Sequence, residues 1–188
     1  MLLLTVVALA QSPEDESNCL GSNNATKDEI IAGCTGRIKF GGLSGQELAG
    51  AYLNRGIAYG LKSQPDLAIQ DLDQVLKLTP NDATAVEERG AAYFSKGDFA
   101  HALADFDHLI ILNPNEFQAY NNRGTIYYAL GQWAKAVADF TVAIELNRSV
   151  ALIYYSRGFA FDKLGQHDRA MADYAEAVRL DPSLKRRH

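Results

Sequence analysis

Cysteine is almost missing from this chain. It occurs twice, at Cys19 and Cys34, with no CxxC pair and no zinc-ligand spacing, which argues against a structural zinc site or a dithiol redox motif. Excess positive charge is missing too. The 188 residues carry a net charge of -5, and the one basic cluster is the terminal Lys185-Arg186-Arg187-His188, read as a solvated tail. A mildly acidic chain lacks the footprint that phosphate backbones require, so no nucleic-acid partner is expected. No apolar run approaches the roughly 20 residues of a membrane-spanning helix. Glycine-rich phosphate loops and nucleophile-elbow motifs do not occur. His101, His108 and His167 have no metal-spaced partner in sequence, and Glu87 and Glu88 diverge by about 100° on a helix. The expectation is a chain without enzymatic activity, cofactor or metal. Proline is scarce, at five residues, and four of them mark boundaries between helices.

Residues 2–10 form a short uncharged apolar run, with Ala8-Leu9-Ala10 as a small-x-small cleavage site. They fit the hydrophobic part of a secretory signal, although the basic start of such a signal is missing; an ordered N-terminal strand or helical turn is the alternative. The two cysteines point the same way. A Cys19–Cys34 disulfide would persist only in an oxidising compartment, and two unrelated thiols are the other reading. Residues 11–25 are polar and read as an extended leader. Thr26-Lys27-Asp28-Glu29 forms a capping box that opens a helix bearing Ile30, Ile31, Cys34 and Ile38, closed by Gly41-Gly42.

From about residue 47 the chain repeats itself. Gly56, Gly90, Gly124 and Gly158 stand 34 residues apart. Each follows an arginine (Arg55, Arg89, Arg123, Arg157) and precedes an aromatic three residues on (Tyr59, Tyr93, Tyr127, Phe161). Ala68, Ala102, Ala136 and Ala170 keep the same frame. Such a period signals helical hairpins that bury their apolar faces against their neighbours. In the first hairpin the helices are expected at about 47–61 and 66–78, and about nine helices overall. Gly97, Gly131 and Gly165 mark the turns within hairpins; Pro80, Pro114 and Pro182 close second helices. The third unit has Arg148 in that place, so its junction is expected to be less sharp.

These residues resemble the tetratricopeptide repeat (TPR) family over roughly 49–184, in four full units. The arginine before the glycine resembles variants in bacterial exported members. The resemblance implies an all-α, right-handed superhelical solenoid. It divides the chain into a signal segment (1–10), a leader and capping helix (11–46), four units (47–184) and a basic tail (185–188), exported to a bacterial periplasm. It also implies a scaffold that binds a peptide or protein partner along a concave face lined by first helices. Helical spacing about each glycine assigns Leu53 and Ile57, Glu87, Ala91 and Phe94, Asn121, Thr125 and Tyr128, and Tyr155, Phe159 and Asp162 to that face. The basic residues of a carboxylate clamp would fall at Leu53, Gln118 and Asn122, none of which is basic.

The four arginines could hold an anion, but Asp71, Asp105, Asp139 and Asp173 should lie opposite them on second helices, and bidentate pairing is the simpler account. At the C-terminal end Met171, Tyr174, Ala177 and Val178 are expected to face outward. They would support a weak two-fold dimer, unless Leu184 folds back over them. Self-assembly through the ends is the alternative to partner binding.

Overall fold

The computed structural model describes residues 13–21, 24–40 and 42–186, and among these every regular element is helical. The expected signal at 1–10 and the tail's Arg187 and His188 lie outside the described residues. The chain divides into two compact units, 1–98 and 99–188. The first contains α1 (Pro13–Cys19), α2 (Lys27–Phe40), α3 (Gly45–Leu61), α4 (Pro65–Leu78) and α5 (Ala83–Ser95). The second contains α6 (Phe99–Leu112), α7 (Phe117–Ala129), α8 (Trp133–Leu146), α9 (Ala151–Lys163), α10 (His167–Leu180) and a closing 3-10 turn, Pro182–Arg186.

Local chemistry sets these boundaries. Thr26 Oγ1 accepts the Glu29 amide while Glu29 Oε2 accepts the Thr26 amide at 2.7 Å, so the capping box forms and α2 starts at Lys27. A second box, Ser44 with Glu47, opens α3. Within hairpins the chain turns through left-handed backbone at Gly97 (φ +77°), Gly131 (+71°) and Gly165 (+73°), and the following amide returns to the helix, as Gln132 to the Tyr127 carbonyl at 2.8 Å. In the first hairpin Ser63 adopts the same conformation (φ +56°), a strained position for a residue with a Cβ.

Helices α4, α6 and α10 stop two residues before Pro80, Pro114 and Pro182. The α8–α9 junction is as well defined as the others, contrary to expectation. Asn147 Oδ1 accepts the Ser149 amide (3.1 Å) and hydroxyl (2.7 Å), a local turn that needs no proline. Asn113 and Asp181, each 34 residues away, accept from Asn115 and Ser183 in the same manner.

The leader is not extended. Residues 13–19 form α1, which makes ten α-helices among the described residues where about nine were expected. Its short length is offset by a disulfide from Cys19 to Cys34, with Cα atoms 4.5 Å apart and both residues fully buried beside Ala51. Asn54 also donates to the Cys19 carbonyl at 2.9 Å. The arginines fix what α1 and α2 are. Arg89 Nη1 reaches Asp73 and Arg55 Nη1 reaches Thr35, so Thr35 holds the place of Asp73. Cys34 therefore holds the place of Leu72, which packs on Gly56. The disulfide stands where the α3–α4, α7–α8 and α9–α10 hairpins have their glycine crossings, and α2 is paired with α1.

In the unit 99–188 the core joins Ala136, Phe140, Ile144, Ile153, Tyr154, Tyr155, Phe161, Tyr174 and Leu184. The end of the chain differs from expectation. Tyr174 and Ala177 point into this core, and Leu184 folds back into it at 3% exposure; of the four residues expected outward only Met171 is exposed. The apolar surface proposed for a dimer is thus largely covered by the protein itself.

Candidate functional site

The arginine ladder is structural. Arg55 grips Asp71 with Nε (2.7 Å) and Nη2 (2.8 Å); Arg123 grips Asp139 at 2.8 and 2.7 Å, and Arg157 grips Asp173 likewise. Arg89 and Asp105 belong to different compact units. Each arginine has a further partner that sequence reasoning missed: Nη1 reaches the preceding second helix, at Thr35, Asp73, Asp107 or Thr141. The rings three residues before and four after stack on the same group, Tyr120 and Tyr127 at 5.7 and 5.9 Å from Arg123. The hydrogen bonds that Arg123 donates to Asp139 push its guanidinium above its already high range, against the effect of burial. A cation so enclosed is a bolt between hairpins, not an anion receptor. The 34-residue frame of arginine, aromatic and second-helix aspartate carried the signal for the Asp71, Asp139 and Asp173 pairings.

The glycines let the first and second helices touch. A Cβ at Gly56 would sit 3.1 Å from Leu72, at Gly124 2.9 Å from Phe140, and at Gly158 2.6 Å from Tyr174. In the unit 99–188 this close approach brings second-helix rings to the exposed side of α7 and α9. Thr125 and Tyr128 of α7, Ser156 and Phe159 of α9, and Phe140 of α8 line one cleft of about 80 Å³. Tyr155, Phe159 and Tyr174 form a ring cluster with centroids 4.8 to 5.7 Å apart. Phe159 remains 40% exposed, whereas Tyr155 is buried at 7% and acts as support rather than as contact surface.

Asp162 completes the cluster. Its Oδ2 accepts the Tyr174 hydroxyl at 2.7 Å and its Oδ1 lies 2.9 Å from His167 Nδ1. Burial, and then the bond to Asp162, push the Tyr174 phenol well above its ordinary range, so this ring stays a donor. Asp162 orients the Tyr174 ring. The pairing also gives His167 a carboxylate partner that was not expected from its position in sequence. Asn121 lies on α7 one turn before Thr125, whose hydroxyl its backbone carbonyl accepts at 2.9 Å.

The structure thus brings together Thr125, Tyr128, Tyr155, Phe159 and Asp162, and adds Phe140, Ser156 and Tyr174. Ser156 was legible as the residue one turn before Phe159. Phe140 was not assigned to this face and Tyr174 was expected to face outward at the end of the array, because a glycine crossing that brings a second-helix ring to this side is a property of packing.

The nominated residues of the unit 1–98 lie on α3 and α5. Leu53 packs on the core of α4 and α5, Glu87 is half-buried, and Ala91 and Phe94 are exposed on α5. Ile57 faces a separate cleft with residues of α1 and α2.

Paired helices, crossing glycines and bolting arginines define a helical-repeat scaffold. Comparison with known families is specific: tetratricopeptide repeat models match residues 53–117, 90–154 and 151–184. The chain belongs to the tetratricopeptide repeat family. Among solved structures it is similar to a crystal structure of MamA, at 22% identity and a TM-score of 0.78 over 95% of this chain and 99% of that one. It is also similar to a MamA structure from Desulfovibrio magneticus RS-1, at 19% identity and 0.79 over 94% and 99%. At these identities the likeness speaks for the fold. No curated protein matches the chain.

Proposed function

We propose that this protein is a non-enzymatic scaffold that holds a peptide or protein partner against the first-helix face of α7 and α9. The observation that carries this reading is the cleft of Thr125, Tyr128, Phe140, Ser156 and Phe159, where an exposed ring stands over an apolar floor beside two hydroxyls. Apolar anchors ringed by a few hydrogen-bonding groups suit an extended segment that inserts one side chain. Leu53, Glu87 and Phe94 belong to the same reading as first-helix positions of the unit 1–98. The disulfide supports an exported location such as a bacterial periplasm.

The test is partner capture from the native host with the full chain and with Phe159→Asp, both checked for unchanged helical content. Loss of capture with Phe159→Asp, but not with the distant Met171→Asp, is the expected result. Equal capture by both variants would place the partner elsewhere.

A further inference from the structure

The cleft beside the disulfide is built from parts with no role in the site above. Ile30 of α2 and Ile57 and Ala58 of α3 line it together with Leu20, Gly21 and Leu61. Leu20 and Leu61, which line this depression, are 59% and 62% exposed. Among the described residues its one charged lining residue is Lys27, whose Nζ donates to the Leu61 carbonyl at 3.1 Å, at the C-terminal end of α3. One of the three ammonium donors is used there, which leaves the others for a ligand. Asn54, also in the lining, spends its amide N–H on the Cys19 carbonyl at 2.9 Å, so its oxygen remains an acceptor. The neighbouring charges, Asp28 and Lys62, neutralise each other in an ion pair. An apolar floor with one ammonium and one amide oxygen complements a large aliphatic side chain, an adjacent carboxylate and a backbone N–H.

We propose that this cleft is a second binding site, which takes an extended partner segment carrying a large aliphatic residue next to an acidic one, and that the Cys19–Cys34 disulfide builds it. The disulfide belongs to the site because Leu20 and Gly21 directly follow Cys19, and α1 has seven residues. A dithiol reductant converts the bond to two thiols and is itself oxidised to a disulfide, which leaves α1 without its covalent tie to α2. The wall formed by Leu20 and Gly21 then goes.

Two peptides serve as probes, Gly-Ser-Gly-Leu-Asp-Gly-Ser-Gly and its Leu-Lys counterpart, titrated into the full oxidised chain with methyl NMR as readout. The Leu-Asp peptide is expected to shift the Ile30, Ile57 and Leu61 methyls, with at least tenfold preference over Leu-Lys. Lys27→Glu, an exposed substitution, should reverse that preference. Reduction by dithiothreitol should abolish the shifts while those of Thr125 and Ile126, beside the first cleft, stay unchanged. Equal response to both peptides, shifts confined to the α7–α9 cleft, or a preference unchanged by Lys27→Glu would overturn the proposal. So would methyl shifts that depend on protein concentration, or on Leu3→Asp, without peptide, since these give the cleft to a second copy or to the chain's own leading segment. If reduction unfolds the whole chain, the Lys27→Glu reversal in oxidised protein decides alone.

Discussion

At the level of single residues, what distinguishes the repeats is how little space Gly56, Gly124 and Gly158 have. An added methyl would stand 3.1 Å from its nearest neighbour at Gly56, 2.9 Å at Gly124 and 2.6 Å at Gly158. Alanine gains about 1 kcal/mol of helix propensity over glycine, while overpacking costs about 1–3 kcal/mol. Thermal denaturation should therefore rank Gly56→Ala near neutral, Gly124→Ala lower and Gly158→Ala lowest; the reverse order would deny the crossing its role. Gly124→Leu should cost several-fold more than Gly124→Ala. Glu88 offers a test by pH. Burial raises its carboxyl above the ordinary value, so folding disfavours its charged form. Its drag on stability is absent below the unfolded pKa and grows as pH rises to the folded one. Glu88→Gln should melt higher than wild type at pH 7, with the gain vanishing near pH 3. Much of this scale was legible in the sequence, since glycines, rings and Arg–Asp pairs share one period of 34. The second arginine partner was not, because it lies in the preceding hairpin and Thr35, Asp73, Asp107 and Thr141 are not one residue type.

Among elements, the hairpins are ended and tied by local chemistry. The Thr26–Glu29 and Ser44–Glu47 boxes hold both glutamates below the ordinary carboxylate range, through hydrogen bonds from the capping residues. A depressed folded pKa contributes stability above the unfolded value, and that part is lost as pH falls through the folded one. Glu47→Gln should therefore show a shallower acid-side loss of stability than wild type; identical profiles would show the boxes to be without effect in solution. The helix α1 was missed because residues 11–25 are polar and carry no apolar stripe. Its place depends on a covalent bond, not on periodicity. The disulfide closes a loop with a separation of 15 residues, worth about 3 kcal/mol in the chain-entropy treatment. Cys34→Ser should lower stability by about that amount and increase hydrogen exchange in α1 first. Uniform exchange across the protein would contradict a tie local to α1.

For the molecule as a whole, the sequence pointed to an all-helical repeat protein, and the family match over residues 53–184 agrees. The candidate surface was half legible. Spacing about the glycines placed Thr125, Tyr128 and Phe159 together, but it also named Tyr155, which the Tyr174 ring covers. Spacing identifies a helix face; the rings contributed from the next helix decide which part of it stays open. The C-terminal end shows the same limit, since Leu184, two residues beyond the last proline, closes what periodicity left open. Sedimentation should accordingly find no association that Met171→Glu removes. The most direct measurement of partner binding on α7 and α9 is site-specific photo-cross-linking in the native host, with a benzophenone side chain placed at Ser156 inside the cleft or at Met171 outside it. A partner adduct at position 156 that disappears with Phe159→Asp, and none at 171, is the expected result; adducts at 171 alone, or at 156 regardless of Phe159, would contradict it.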